Sequence, residues 1–349
     1  MAQRYLTLDA ARGVAALAVF SYHLGIALGV PLVPGAYLAV DFFFLLSGFV
    51  IAGAYEQRLA EGLTLPDFAW IRFKRLFPLY LAGTALAVIE ALPRFLHGDP
   101  EPHAQMLARI GTIAAALLML PGRVPGSDLV YPLNYPAWSL GFELIANFAY
   151  AAATAVRRMG RWVLAAVIGA SLAGLIWKLA TTGTFELGPE WHDGWGGFLR
   201  VGFSFFAGVL IWRVRRVRPP FASNWAALAC LAALGLILAL APARGFGPLA
   251  IVAIVFPALL FMGAGVQPTG RFATLAKLAG EMSYALYAIH APLMGAELAI
   301  LKSHPLPLLL RGALLVSSCL VGAWIALRFW DLPVRRWIAD RKLRKLENA

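Results

Sequence analysis

The chain has 349 residues, of which 60% are apolar or aromatic and only 14% charged, against about 45–50% and about 25% in an ordinary soluble domain. It cannot cover itself with polar surface, so a water-soluble globule is excluded and a polytopic, all-α membrane helix bundle is expected. The net charge of +12 fits Lys- and Arg-rich cytoplasmic loops, and no nucleic-acid partner is expected. Cys230 and Cys319 both lie in apolar runs without C-x-x-C or metal-ligand spacing, so neither a disulfide framework nor a metal site is expected.

In chain order, the first apolar stretch, Gly13 to Val30, follows Arg4, Asp9 and Arg12 much as a signal peptide would begin. No small-x-small cleavage site precedes the next apolar run, so a retained first span is expected. Further runs of spanning length lie at about 36–55, 76–92, 138–156, 162–180, 197–212, 224–241, 247–264, 283–301 and 308–330, which makes ten. An eleventh, Ile110 to Leu120, would measure only about 16 Å as a helix, too short for about 30 Å of hydrocarbon. Treating it as non-crossing puts 22 of the 30 Lys and Arg residues on one side. The positive-inside rule therefore favours ten crossings, both termini cytoplasmic, and 104–137 as a re-entrant or extracytoplasmic excursion. Residues 1–349 form a single transmembrane domain in this reading, without an appended soluble domain. No repeat of 20 to 50 residues and no duplication of halves is visible, which weakens a secondary-transporter reading. The loops at 97–104 and 121–136 and the segment Glu190–Trp195 fall outside the cell, where a polar acceptor would be met; most of their tryptophans read as an interfacial belt.

Ionisable groups at membrane depth are costly, and so are the first functional candidates. Arg12 and His23 are 11 residues apart, just over three helical turns, so they point the same way about 16 Å apart along the axis. A cation at the entrance with a histidine near the midplane could take an anionic donor and react its far end; a topological anchor plus a histidine satisfied by a neighbouring helix is the other reading. Asp41, at the outer end of the second span, could orient a histidine or bind an acceptor hydroxyl, while Ser47-Gly48 suits close helix packing. Arg72 and Arg75 share a helix face, either to grip phosphate with paired guanidinium forks or to fix topology. Glu143, after Trp138 and Ser139, should be paired, protonated or catalytic. Ser283, Tyr287, His290 and Glu297 recur at i, i+4, i+7 and i+14, a polar stripe that is either an interhelix seam or part of a substrate path.

Together these segments resemble acyltransferase family 3, the integral membrane proteins that include bacterial O-antigen and exopolysaccharide O-acetylases. The family's basic residue, ten others and a histidine are met by Arg12 and His23. Its Phe-Phe-x-x-Ser-Gly-Phe string is Phe43–Phe49, with Ser47, and its Arg-x-x-Arg is Arg72 and Arg75. Its Trp-Ser-Leu-x-x-Glu is Trp138, Ser139, Leu140 and Glu143, and its late Ser-Tyr-x-x-Tyr-x-x-His is Ser283, Tyr284, Tyr287 and His290. Two strings depart: Asp9-Ala10-Ala11-Arg12-Gly13 stands where Leu-Arg-Gly is common, and Asp331-Leu332-Pro333 where Glu-x-Pro is usual.

The resemblance implies a multi-pass enzyme of the bacterial inner membrane. Acyl-CoA, most often acetyl-CoA, would be a cosubstrate rather than a permanently bound cofactor, and the acceptor a hydroxyl of an extracytoplasmic or lipid-linked glycan. Arg12, Arg72 and Arg75 would take the donor's phosphates. His23, with an ordinary pKa near 6.5, would be the general base, assisted by Asp41 or Glu143. Ser47, Trp138, Ser139, Ser283, Tyr287 and His290 would support the acceptor path. The competing class is a transporter or flippase of a lipid-linked or anionic solute, which would bind with the same groups and consume no acyl-CoA.

Overall fold

The computed structural model describes the backbone at 4–97, 103–215, 220–302 and 306–347, and side chains at 4–91, 105–215, 220–302 and 306–339. Residues 98–102, within the loop expected at 97–104, and 216–218, part of an expected basic loop, lie outside these. The helices are α1 (Leu6–Leu28), α2 (Ala39–Ala60), α3 (Leu65–His97), α4 (His103–Leu117), α5 (Ala137–Ala155), α6 (Arg161–Thr182) and α7 (Gly194–Arg215). They continue with α8 (Asn224–Leu240), α9 (Gly247–Ala250), α10 (Phe256–Ala264), α11 (Gly270–Leu301), α12 (Leu308–Ile325) and α13 (Leu332–Glu347). Each of the ten apolar runs is helical, and the short eleventh falls on α4, whose 15 residues span about 22 Å.

Among the described residues, seven segments are long and apolar enough to cross a membrane: Leu6–Leu28, Pro34–Ala60, Arg161–Thr182, Gly194–Arg215, Gly247–Ala264, Gly270–Leu301 and Leu308–Ala339. The chain is thus an all-α, multi-pass membrane protein of the helix-bundle class. Of the other three expected crossings, α8 has 17 residues, α5 carries Glu143 and Asn147, and α3 has 33 residues with charged positions along it.

Prolines shape the helix breaks. Proline has no N–H and its ring crowds the carbonyl four residues back. Two π-helical turns, Ile251–Val255 and Ala326–Asp331, each end just before an X-Pro pair, Phe256-Pro257 and Leu332-Pro333. The wider turn lets the N–H of Phe256 reach the Ile251 carbonyl, and that of Leu332 the Leu327 carbonyl, five residues back.

The helices form two compact units: Met1–Leu65 with Trp138–Ser283, and Pro66–Ala137 with Tyr284–Ala349. In the first, α2 and α7 touch backbone to backbone. A Cβ on Gly48 would strike the Phe205 carbonyl oxygen, and one on Gly208 the Leu45 carbonyl oxygen, the small-residue contact that lets membrane helices approach. Two-residue strands β1 (Phe221–Ala222) and β2 (Val266–Gln267) pair in parallel and anchor the start of α1. The Gln267 side chain accepts from the Leu6 N–H at 2.9 Å, one of the backbone donors a helix start leaves open, and Thr7 Oγ1 donates to the Val266 carbonyl at 2.6 Å.

In the second unit, Pro292 lies inside α11 and leaves the Ala288 carbonyl without its usual donor. Asn134 Nδ2 donates to that oxygen at 2.9 Å, and Gly83 leaves room, since a Cβ there would strike it. Tyr284 and Trp330 donate to the carbonyls of Leu76 and Pro78 on α3, at 2.6 and 2.7 Å.

Candidate active site

Arg12 and His23 share one uninterrupted helix, α1, which sets them about 20° apart around the axis and about 16 Å along it. The guanidinium of Arg12 is held on several sides. Nη2 donates to Asp9 Oδ1 and to the Gly280 carbonyl, both at 3.0 Å, and Nε donates to Ser283 Oγ at 3.1 Å. Ser283 Oγ in turn donates to Gly280 O at 2.8 Å. Small residues make this reach possible: a Cβ on Gly13 would come within 2.7 Å of Ala279 Cβ, and one on Gly280 within 2.7 Å of Asp9 Cβ. Asp9 also accepts from Arg4 Nε at 2.6 Å, so one carboxylate links two arginines. Ser283, read from sequence as part of a polar stripe, is therefore a direct partner of Arg12. Further along α1, the half-buried His23 lies edge-on to the Tyr22 ring, centroids 5.6 Å apart.

The Phe-Phe-x-x-Ser-Gly and Trp-Ser-Leu-x-x-Glu strings meet. Ser47 Oγ donates to Glu143 Oε1 at 2.7 Å, and the Phe44 and Trp138 rings lie edge to face, 6.5 Å apart. Ser47 thus does more than pack, and Glu143 is paired, as a carboxylate at that depth requires; Gly48 supplies the close contact. Ser139, on the same string, is buried.

Asp41 is fully buried, and both its oxygens accept from Arg200, with Nη2 to Oδ2 at 2.7 Å and Nε at 3.2 and 3.3 Å. Arg200 also donates to the carbonyls of Leu187 and Tyr37, each at 2.9 Å. Its guanidinium lies 5.4 Å from the Trp138 ring centre and 5.5 Å from that of Phe185. Read from sequence as a group for orienting a histidine or holding an acceptor, Asp41 has its carboxylate on an arginine that the sequence analysis does not single out. The legible signal was an arginine inside the apolar run 197–212. A second missed cluster joins α2, α5 and α7: Tyr150 donates to Glu56 Oε2 at 2.6 Å, Arg213 Nε lies 3.1 Å from the same oxygen, and Arg213 Nη2 donates to the Met159 carbonyl at 2.9 Å.

The second unit holds the remaining candidates. Arg72 is buried on α3, and the carbonyl of Arg75 accepts from Arg335 Nη2 at 2.9 Å. Tyr287 donates to the Pro136 carbonyl at 2.9 Å, and the fully buried His290 donates through Nδ1 to the Leu286 carbonyl at 2.8 Å. Backbone partners of this kind are those of a packed seam.

The fold and its polar clusters define a multi-pass membrane protein whose first helix carries a fixed guanidinium and a half-buried imidazole. A family model described as an acyltransferase domain, of the acyltransferase 3 type, matches residues 5–328. The chain belongs to this family and is an acyltransferase. It is 37% identical over 177 residues to "Protein 2 in picA locus" of Rhizobium radiobacter, covering 48% of this chain and 92% of that protein. It is 26% identical over 258 residues to the exopolysaccharide production protein ExoZ of Rhizobium meliloti, covering 72% and 74%. With the acyltransferase MdmB of Streptomyces mycarofaciens it shares 27% identity over 332 residues, covering 84% and 82%. No solved structure matches the chain.

Proposed function

We propose that the protein moves an acyl group, acetyl in the first instance, from cytoplasmic acyl-CoA to a hydroxyl of an extracytoplasmic or lipid-linked glycan. The observation that carries this reading is the unbroken α1 helix, which aligns Arg12 and His23 on one face over about three turns. The fixed guanidinium suits an anionic donor met at the N-terminal end of α1, since charge-assisted contacts to phosphate are strong. Arg72 and Arg75 keep the role of phosphate ligands. His23 accepts the proton of the acceptor hydroxyl, the alcohol oxygen attacks the thioester carbonyl, and the carbon–sulfur bond breaks to release CoA, which takes up a proton. Glu143, held by Ser47, and Asp41, held by Arg200, keep the surrounding helices in place. The name of the ExoZ relative, an exopolysaccharide production protein, supports a glycan acceptor. The placement of 22 of the 30 Lys and Arg residues on one side supports cytoplasmic termini in a bacterial inner membrane.

The test is labelled acetyl-CoA supplied to inverted membrane vesicles, with label followed into glycan or lipid. Wild-type protein transfers label, and His23→Ala, equally inserted, loses at least about 100-fold of the rate. Full transfer by that variant would remove the base assignment. Acceptor movement without consumption of acetyl-CoA would favour a transporter instead.

A further inference from the structure

A cavity of about 350 Å³ opens at the C-terminal end of α1, within the first unit. Its volume lies at the lower end of the range for small-molecule sites, about 300–1,000 Å³. Tyr22, Gly25, Ile26 and Gly29 line it from the helix, at i, i+3, i+4 and i+7, which is one stripe. Tyr37 and Glu186 supply most of its remaining polar chemistry.

The walls are set by local backbone rules. Gly29 ends α1 in the left-handed region at φ 72. Its N–H donates to the Ile26 carbonyl at 3.3 Å and the Val30 N–H to the Gly25 carbonyl at 2.9 Å, a Schellman cap that folds the following loop back over the helix. A Cβ on Gly25 would come within 2.6 Å of the Val30 carbonyl oxygen, so the loop closes down only because residue 25 is glycine. Tyr37 is held at both ends: its hydroxyl donates to the Pro242 carbonyl at 3.0 Å, and its own carbonyl accepts from Arg200 at 2.9 Å. The cavity is therefore preformed.

Val30, Pro31, Leu32, Val33 and Pro34 make much of the wall apolar, and the two tyrosines and one carboxylate set among them are groups that a sugar ring can use. Tyr22 and Tyr37 give the lining an aromatic part of the kind the C–H side of a pyranose packs against, and the Glu186 carboxylate offers strong acceptors for hydroxyl donors. Among the described residues, the side chain of Glu186 meets Tyr22 Oη at 3.4 Å, near the outer limit of a hydrogen bond, so sugar hydroxyls can make shorter ones. A lipid chain would gain nothing from a carboxylate placed there. His23 sits next to Tyr22 in the chain with its ring edge against it, but about 100° round the helix from Tyr22.

We propose that this cavity binds one sugar ring of the acceptor glycan, adjacent to the ring whose hydroxyl reacts at His23, and so sets which glycans are acylated. The proposal rests on the acyl-transfer reading above and on the C-terminal end of α1 facing away from the cytoplasm.

Binding is read without acyl-CoA, by saturation-transfer NMR on the purified protein in a detergent lacking a sugar head group. The probes are methyl glucoside, methyl galactoside, cellobiose and lactose. At least one receives saturation from the wild type, and Glu186→Gln, at an exposed position, weakens that sugar by about 10-fold. Gly25→Val, whose side chain would push the Val30–Leu32 loop off the helix and so remove one wall of the cavity, abolishes binding. In the vesicle assay, Glu186→Gln raises KM for the acceptor by a similar factor and leaves kcat and KM for acetyl-CoA unchanged. Absence of binding by all four probes, or equal binding by wild type and Glu186→Gln, overturns the proposal. So does a co-purifying lipid that Gly25→Val releases and the sugars do not displace. The two readings fail differently: sugar binding without label transfer by wild type ends the acyl-transfer reading, whereas transfer with an unmoved acceptor KM in Glu186→Gln ends this one.

Discussion

Replacing Arg200 with methionine strands Asp41. The two side chains are 1% and 0% exposed, and the pair is bidentate, with the shortest contact at 2.7 Å. Removing one member of such a pair leaves a buried charge without its counter-charge, which costs about 3–5 kcal/mol. Arg200→Met also takes charged donors from the carbonyls of Leu187 and Tyr37. Against a total stability of about 5–15 kcal/mol, that is a large loss. Arg200→Lys keeps the charge but cannot reproduce the planar fork that serves two carboxylate oxygens and two carbonyls, so it should fall between wild type and Arg200→Met. The double variant Asp41→Leu with Arg200→Met removes both charges and should recover part of the loss, leaving about 2 kcal/mol or more for the two carbonyls. Unfolding in mixed micelles of increasing SDS fraction, followed by far-UV circular dichroism, measures the set. A loss below about 1 kcal/mol in Arg200→Met, or a double variant no more stable than the single, would refute the reasoning. Acyl transfer by the same proteins separates positioning from chemistry: a stable, active double variant means the pair only holds the helices, and a stable, inactive one means that a member of the pair takes part directly.

Gly48→Ala and Gly208→Ala each push a methyl group into a facing carbonyl, and each should cost about 1–3 kcal/mol in the same unfolding assay; unchanged stability would mean α2 and α7 are not in backbone contact. Ser283→Ala removes one of the bonds that hold Arg12, worth about 0.5–1.5 kcal/mol, so KM for acetyl-CoA should rise roughly 2- to 10-fold with kcat little changed. Tyr150→Phe takes the hydroxyl from Glu56, which Arg213 still pairs, and should cost about 1 kcal/mol. Glu56→Ala, which leaves both partners, should cost more than Tyr150→Phe; equal effects would place Arg213 outside the cluster.

Much of this protein was legible in the order of its residues. Hydrophobic run length alone located helices at all ten expected positions, because a chain in lipid must satisfy its backbone internally and can do so locally only as helix. The alignment of Arg12 with His23 followed from 3.6 residues per turn, and the burden on Glu143 from the cost of a lone carboxylate among apolar neighbours. What the order could not supply is partnership. Asp41 with Arg200, Ser47 with Glu143 and Arg12 with Ser283 are separated by 159, 96 and 271 positions. No periodicity along one helix says which other helix lies against it; that depends on where glycines such as Gly13, Gly48 and Gly208 let backbones touch, a property of two surfaces brought together.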